Sequence, residues 1–163
     1  MKPSFLTLQE IKFSKIHVEI DPSVRVKASD FNFEDALIGC DIKHGQIKNN
    51  PNSWWIGFGF ANSNDGEDIK KCPYIFEFQA VGIISVDADF MPDNSKVKEK
   101  LAFESGSALI YGAIREMTIN LTSRCIPGPL MLPTPMFKDS FEDYAKKKVK
   151  KNPTKINESQ KSR

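Results

Sequence analysis

Three cysteines and two histidines are the side chains in this 163-residue chain best suited to hold a metal or attack as nucleophiles. Their spacing argues against both roles. Cys40, Cys72 and Cys125 stand far apart, form no Cys-x-x-Cys pair and are odd in number, so they outline neither a metal knuckle nor a disulfide framework. Three reduced structural thiols are expected. His17 and His44 are isolated and no His-Glu-x-x-His spacing occurs, so both are expected at the surface or on strand edges. The run "GFGFAN" (57–62) lacks the Gly-x-Gly-x-x-Gly spacing of a phosphate-binding loop and falls inside a strand-like pattern. No Gly-x-Ser-x-Gly elbow is present, and the carboxylates are scattered without an acid/base pair. The chain is expected to be no enzyme and to need no cofactor or metal.

A length of 163 residues suits one domain with a real core, and 40% hydrophobic content is that of a folded protein. No apolar run reaches the roughly 18 residues of a membrane span. The start, "MKPSFLTLQEIKF", lacks the apolar centre of a signal peptide, which gives a cytosolic expectation. The net charge of +2 hides an asymmetry: from Lys146 onward eight Lys or Arg stand against one Glu, and the remainder is acidic. Such a tail is expected to be a solvated segment, with nucleic acid not expected as a partner. A single domain over 1–151 with a basic disordered tail over 152–163 follows.

Any site would have to be positioned by four strands and then helices. Residues 5–21 alternate, with Ile16, Val18 and Ile20 apolar, but Ile11 and Phe13 have the opposite parity, which predicts a β-bulge near Ser14–Lys15. Residues 24–33 are irregular, 35–42 read as a second, weaker strand, and "NNPN" (49–52) as a turn. In the third strand, 53–62, Trp54, Ile56, Phe58 and Phe60 share one face and Trp55, Gly57, Gly59 and Ala61 the other. A polar loop leads into the fourth strand, 74–86, with Tyr74, Phe76 and Phe78 on one face. The period then becomes helical. A short helix over 93–105 is broken by Gly106, and a longer one over 107–124 is capped by Ser107. A last helix is expected over 137–151. Strands segregated from helices give an α+β fold: a four-stranded antiparallel sheet, a long helix, an apolar proline-rich loop and a C-terminal helix.

The loop "CIPGPLMLPTPMF" (125–137) is too apolar to be left in water without a purpose. With twelve Phe and two Trp in the chain, one small core does not account for all the apolar surface, and a large apolar patch points to a partner. That partner is a client chain, another subunit, or both.

The chain resembles the SecB-like family of bacterial chaperones over about residues 5–145. The resemblance rests on "IKFSKIHVEI" (11–20), "GIISV" (82–86), "LIYGAIRE" (109–116), "LTSR" (121–124) and "LMLPTPMF" (130–137), in that order. It implies a bacterial cytoplasmic homotetramer, a dimer of dimers, that holds unfolded client proteins in an apolar groove without ATP. By the same match, Ile126, Leu130, Met131, Leu132, Phe137, Phe141 and Tyr144 would line the groove, with Leu37 and Ile38 as its floor. Ile110, Ile114, Met117 and Leu121 on the long helix would form the oligomer interface. The family's export members pass clients to the motor SecA through an acidic sheet surface, matched here by Lys15, Glu19, Ile75 and Glu77. Lys15 reverses a charge there, and the basic tail reverses another, both of which weaken SecA docking. Other members are dedicated chaperones of antitoxins. The resemblance therefore implies either an export chaperone or a dedicated-client one. A non-chaperone oligomeric module of the same fold is the alternative.

Overall fold

The apolar residues of the first strand change parity twice, and each change is a bulge. In the computed structural model, which describes residues 4–66, 69–89, 94–137 and 141, strand β1 spans Leu6–Ile20 and pairs antiparallel with β4, Tyr74–Val86. The register shifts between Leu8 and Glu10 and again between Phe13 and Lys15. Each shift inserts one residue and restores the phase, so all seven apolar residues of β1 face the same side as Tyr74, Phe76, Phe78, Ile84 and Val86. The bulge expected at Ser14–Lys15 is present. The one at Gln9 was not anticipated, although Leu6 and Leu8 against Ile11 and Phe13 carry the same parity signal.

Strand β2, Leu37–Ile47, and β3, Asn50–Ser63, form a hairpin, and the sheet order is β1-β4-β3-β2. The turn falls at Lys48–Asn49, earlier than "NNPN", with Asn49 at φ 65°. Asparagine tolerates that left-handed conformation. Strand β2 is accordingly longer than the expected 35–42 and reaches Ile47. Trp54, Ile56, Phe58, Phe60, Tyr74, Phe76 and Phe78 are all buried on one face, as their alternation predicts. Each such side chain contributes roughly 1.5–3 kcal/mol by leaving water.

Helix α1 is one element, Ser95–Thr122, not two. Gly106 does not break it. A Cβ there would lie 2.5 Å from Ile56 Cδ1 and 2.7 Å from Ile84 Cγ1, so glycine lets helix and sheet approach closely. The N-cap is Asn94, whose Oδ1 accepts from the Val97 amide at 3.1 Å. Ser107, expected as a cap, is fully buried mid-helix. Asn94→Ala should cost about 1 kcal/mol, read as a lowered denaturant midpoint.

A four-stranded sheet is about 15–20 Å wide, and one helix covers about 10 Å of it. Something else must cover the rest. After α1 the chain turns at Ser123–Pro127 and runs back beside the helix. The Leu130 amide donates to Thr122 Oγ1 at 2.9 Å, Tyr74 Oη to the Gly128 carbonyl at 2.7 Å, and Tyr111 Oη to the Pro133 carbonyl at 2.7 Å. Phe137 meets Phe58 of β3, and Phe141 meets His44 of β2 and Phe103 of α1. This strap covers the β2–β3 side of the sheet. The expected helix over 137–151 and the tail otherwise lie outside the described residues.

Candidate functional site

The helix packs on β3, β4 and part of β1, with the strap beyond it, and the part of the inner face left open among the described residues is the Ile16–Ile20 end of the β1 edge. Ile16 and Ile20 face inward there yet remain 46% and 41% exposed. Ile16, Val18 and Ile20, with Leu121 from the end of α1 and Cys125 from the turn after it, line a groove of about 230 Å³ floored by Tyr74. A second groove, about 480 Å³, is lined by Ile20, Val24, Val26, Ile126 and Pro127 together with Asp21, Pro22, Arg25 and Lys27. The two share Ile20, so they adjoin at the end of β1 and together make a path from the sheet edge to the loop after it. Its walls are fastened. The Ala28 amide donates to the Pro127 carbonyl at 2.7 Å, which ties the loop after β1 to the loop after α1. Tyr74, buried under the path, has its phenol pushed up to about 12, chiefly by burial.

The residues expected to line a groove divide three ways. Ile126 lies on this path and is 97% exposed. Leu130 and Leu132 do not line it: each is 1% exposed and belongs to the core. Burial alternates along the strap, with neighbouring side chains turned to opposite sides, so Met131 between them is 65% exposed. Phe137 packs against the core and Phe141 is buried between His44 and Phe103. Tyr144 lies outside the described residues. Leu37 is also misplaced as a floor. It pairs with Ser63 on the face away from the helix, whereas Ile38 packs inward, half-buried. The expected oligomer residues separate as well. Ile110 and Ile114 are wholly buried against their own sheet, Met117 packs beside the core, and Leu121 opens onto the groove. The outward stripe of α1 is instead Ala108, Leu109, Gly112, Glu116 and Asn120.

The four sheet-surface residues do come together. Glu19 pairs with Ile75, and His17 with Glu77, on the outer face of β1 and β4. Lys15 Nζ forms an ion pair with Glu77, and that hydrogen bond holds the Glu77 carboxyl below its usual range. His44, expected at a surface or strand edge, is on the edge strand but buried, with Nε2 2.8 Å from Glu99 Oε1. The cysteines are unpaired, and burial pushes the Cys72 thiol up to about 11. Among the described residues no group of three or more His, Cys, Asp or Glu could hold a metal ion, and no helix is long and apolar enough to cross a membrane.

Sequence reading missed Ile16, Val18, Ile20, Val24 and Val26 as site residues. Alternation shows which face of a strand is apolar. Which strand ends on the edge, and which edge stays uncovered, depends on topology.

A four-stranded antiparallel sheet carrying one long helix across a single face is consistent with a SecB-like fold. Among solved structures, the chain is similar to the Mycobacterium tuberculosis SecB-like chaperone in complex with a ChAD peptide from the HigA1 antitoxin. That likeness has a TM-score of 0.52 and 13% identity, over 80% of this chain and 87% of that one. A protein of unknown function from Streptococcus agalactiae is similar at TM-score 0.45 and 11% identity, over 78% of this chain and 96% of that one. No family model matches the chain, and no curated protein matches its sequence. At 13% identity the likeness to the mycobacterial chaperone is one of fold.

Proposed function

We infer that the protein is an ATP-independent holdase that binds non-native polypeptide in the groove beside β1. One observation carries this reading: Ile16, Ile20, Val26, Leu121 and Ile126, all substantially exposed, line two adjoining grooves that meet at Ile20. Unfolded chains offer extended apolar segments, and burying these against such a path is favourable at roughly 25 cal/mol per Å² without directional bonds. The fold supports the reading too, since the similar mycobacterial chaperone is recorded with an antitoxin peptide. A dedicated client, of the antitoxin type, is favoured over a general export role, because Lys15 neutralises Glu77 on the surface that would meet SecA. The protein would act in the cytosol, without catalysis, and as a dimer of dimers. The outward stripe around Ala108 and Gly112 is the surface offered for self-association. Mass measurement in solution tests the tetramer.

At stoichiometric amounts, and with no nucleotide, the protein should slow aggregation of a chemically unfolded test substrate. Unchanged aggregation at excess protein would sink the holdase reading. A second reading has its own observation. The strap fills the space beside α1 with Leu130 and Leu132, so part of the expected apolar surface is closed by the chain itself. If the groove beside β1 binds no hydrophobic dye, an interaction module with no client activity is the better description.

A further inference from the structure

The charges along the groove are not symmetric. At its β1 end the only charged lining residue among those described is Glu19, whose side chain belongs to the outer face of the sheet, 3.5 Å from His17. At its loop end the lining charges are Arg25 and Lys27, and neither is in an ion pair among the described residues. Asp21 also lines that end, but its carboxylate is turned inward: Oδ1 accepts from the Ser23 amide and hydroxyl, and Oδ2 from Asn64 Nδ2. The Asp21 side chain is therefore already committed to the fold, whereas the two cations beside the exposed Ile126 and Val26 are available to a ligand. An apolar path ending in two uncommitted cations complements a chain segment of matching pattern.

We propose that the groove selects client segments in which a short apolar run is flanked on one side by acidic residues. The apolar run lies along Ile16, Ile20 and Leu121, and the acidic flank reaches Arg25 and Lys27. This rests on the holdase reading and specifies its client. Exposed ion pairs are individually weak, so two of them give a preference, not an absolute requirement, and it fades as salt rises.

The test uses three fluorescently labelled peptides that share one apolar segment and differ only in a flank of Asp, Ser or Lys. Binding to the full chain is followed by anisotropy at low and high salt. The Asp-flanked peptide should bind about fivefold tighter than the Ser-flanked one at low salt, and the Lys-flanked one weakest. The difference should shrink at high salt. In Arg25→Glu/Lys27→Glu, two exposed substitutions, the order should reverse. Equal binding of all three peptides overturns the proposal and leaves the holdase reading intact. So does an Asp preference that survives in the double variant, since the basic tail then supplies it. If no peptide binds while aggregation is still suppressed, the client site is elsewhere and the proposal is wrong. If neither binding nor suppression occurs, the holdase reading falls with it.

Discussion

Leu130→Ser/Leu132→Ser should unfold or nearly unfold the protein, while Met131→Ser between them should change stability by no more than about 0.5 kcal/mol. Both leucines are buried at 1% exposure, and each truncation removes a packed side chain and leaves a cavity, a loss of about 2–5 kcal/mol. Each serine also places a hydroxyl in an apolar site. Two such losses rival the 5–15 kcal/mol total stability of an ordinary domain. The proline content of the segment reads as a loop, and its backbone is held in place by Thr122, Tyr74 and Tyr111. Urea titration followed by tryptophan fluorescence reads the result, because Trp54 is buried in the same core. A double variant with an unchanged midpoint would mean that the strap is peripheral.

The two glycines of α1 should respond in opposite directions. Gly106→Leu should destabilise by about 3 kcal/mol or more, because its side chain enters space held by Ile56 and Ile84, both fully buried. A Cβ at Gly112 would have no neighbour within 4 Å in its own chain, so in the dissociated protein Gly112→Ala should stabilise by about 0.5–1 kcal/mol through helix propensity. Thermal unfolding of the two variants beside the parent shows the split. Equal shifts of the same sign would contradict the packing described for Gly106.

Much of the sheet was legible because burial on one face imposes a period of two. Trp54 to Phe60 and Tyr74 to Phe78 declared their inner face in the sequence, and Ile11 and Phe13 against Ile16 declared a bulge. The helix was less legible. A glycine in a helical pattern reads as a break, and only the nearness of Ile56 and Ile84 shows that Gly106 is a contact. The strap misled for a related reason. Apolar residues between prolines read equally well as a greasy surface or as an extended segment laid over a core, and the sheet's uncovered width decides between them. The candidate site was the least legible part. Ile126 was anticipated, but Arg25, Val26 and Ile20 meet it only because β1 is the edge strand and the loop beyond it is bonded to Pro127.

The two bulges of β1 bear on what the groove's edge does not do. An unbroken 15-residue edge strand would offer a ladder of free amides and carbonyls for another chain to zip onto. Here the pairing is cut into Leu6–Leu8, Glu10–Phe13 and Lys15–Ile20, and the strand bends at each cut. A sticky, strand-forming polypeptide brought to this edge finds side chains to rest on but no long straight template to extend. Capture by side chains alone is reversible. Growth of a continuous sheet is far harder to reverse, so a holdase of the kind proposed would avoid seeding a fibril at this edge.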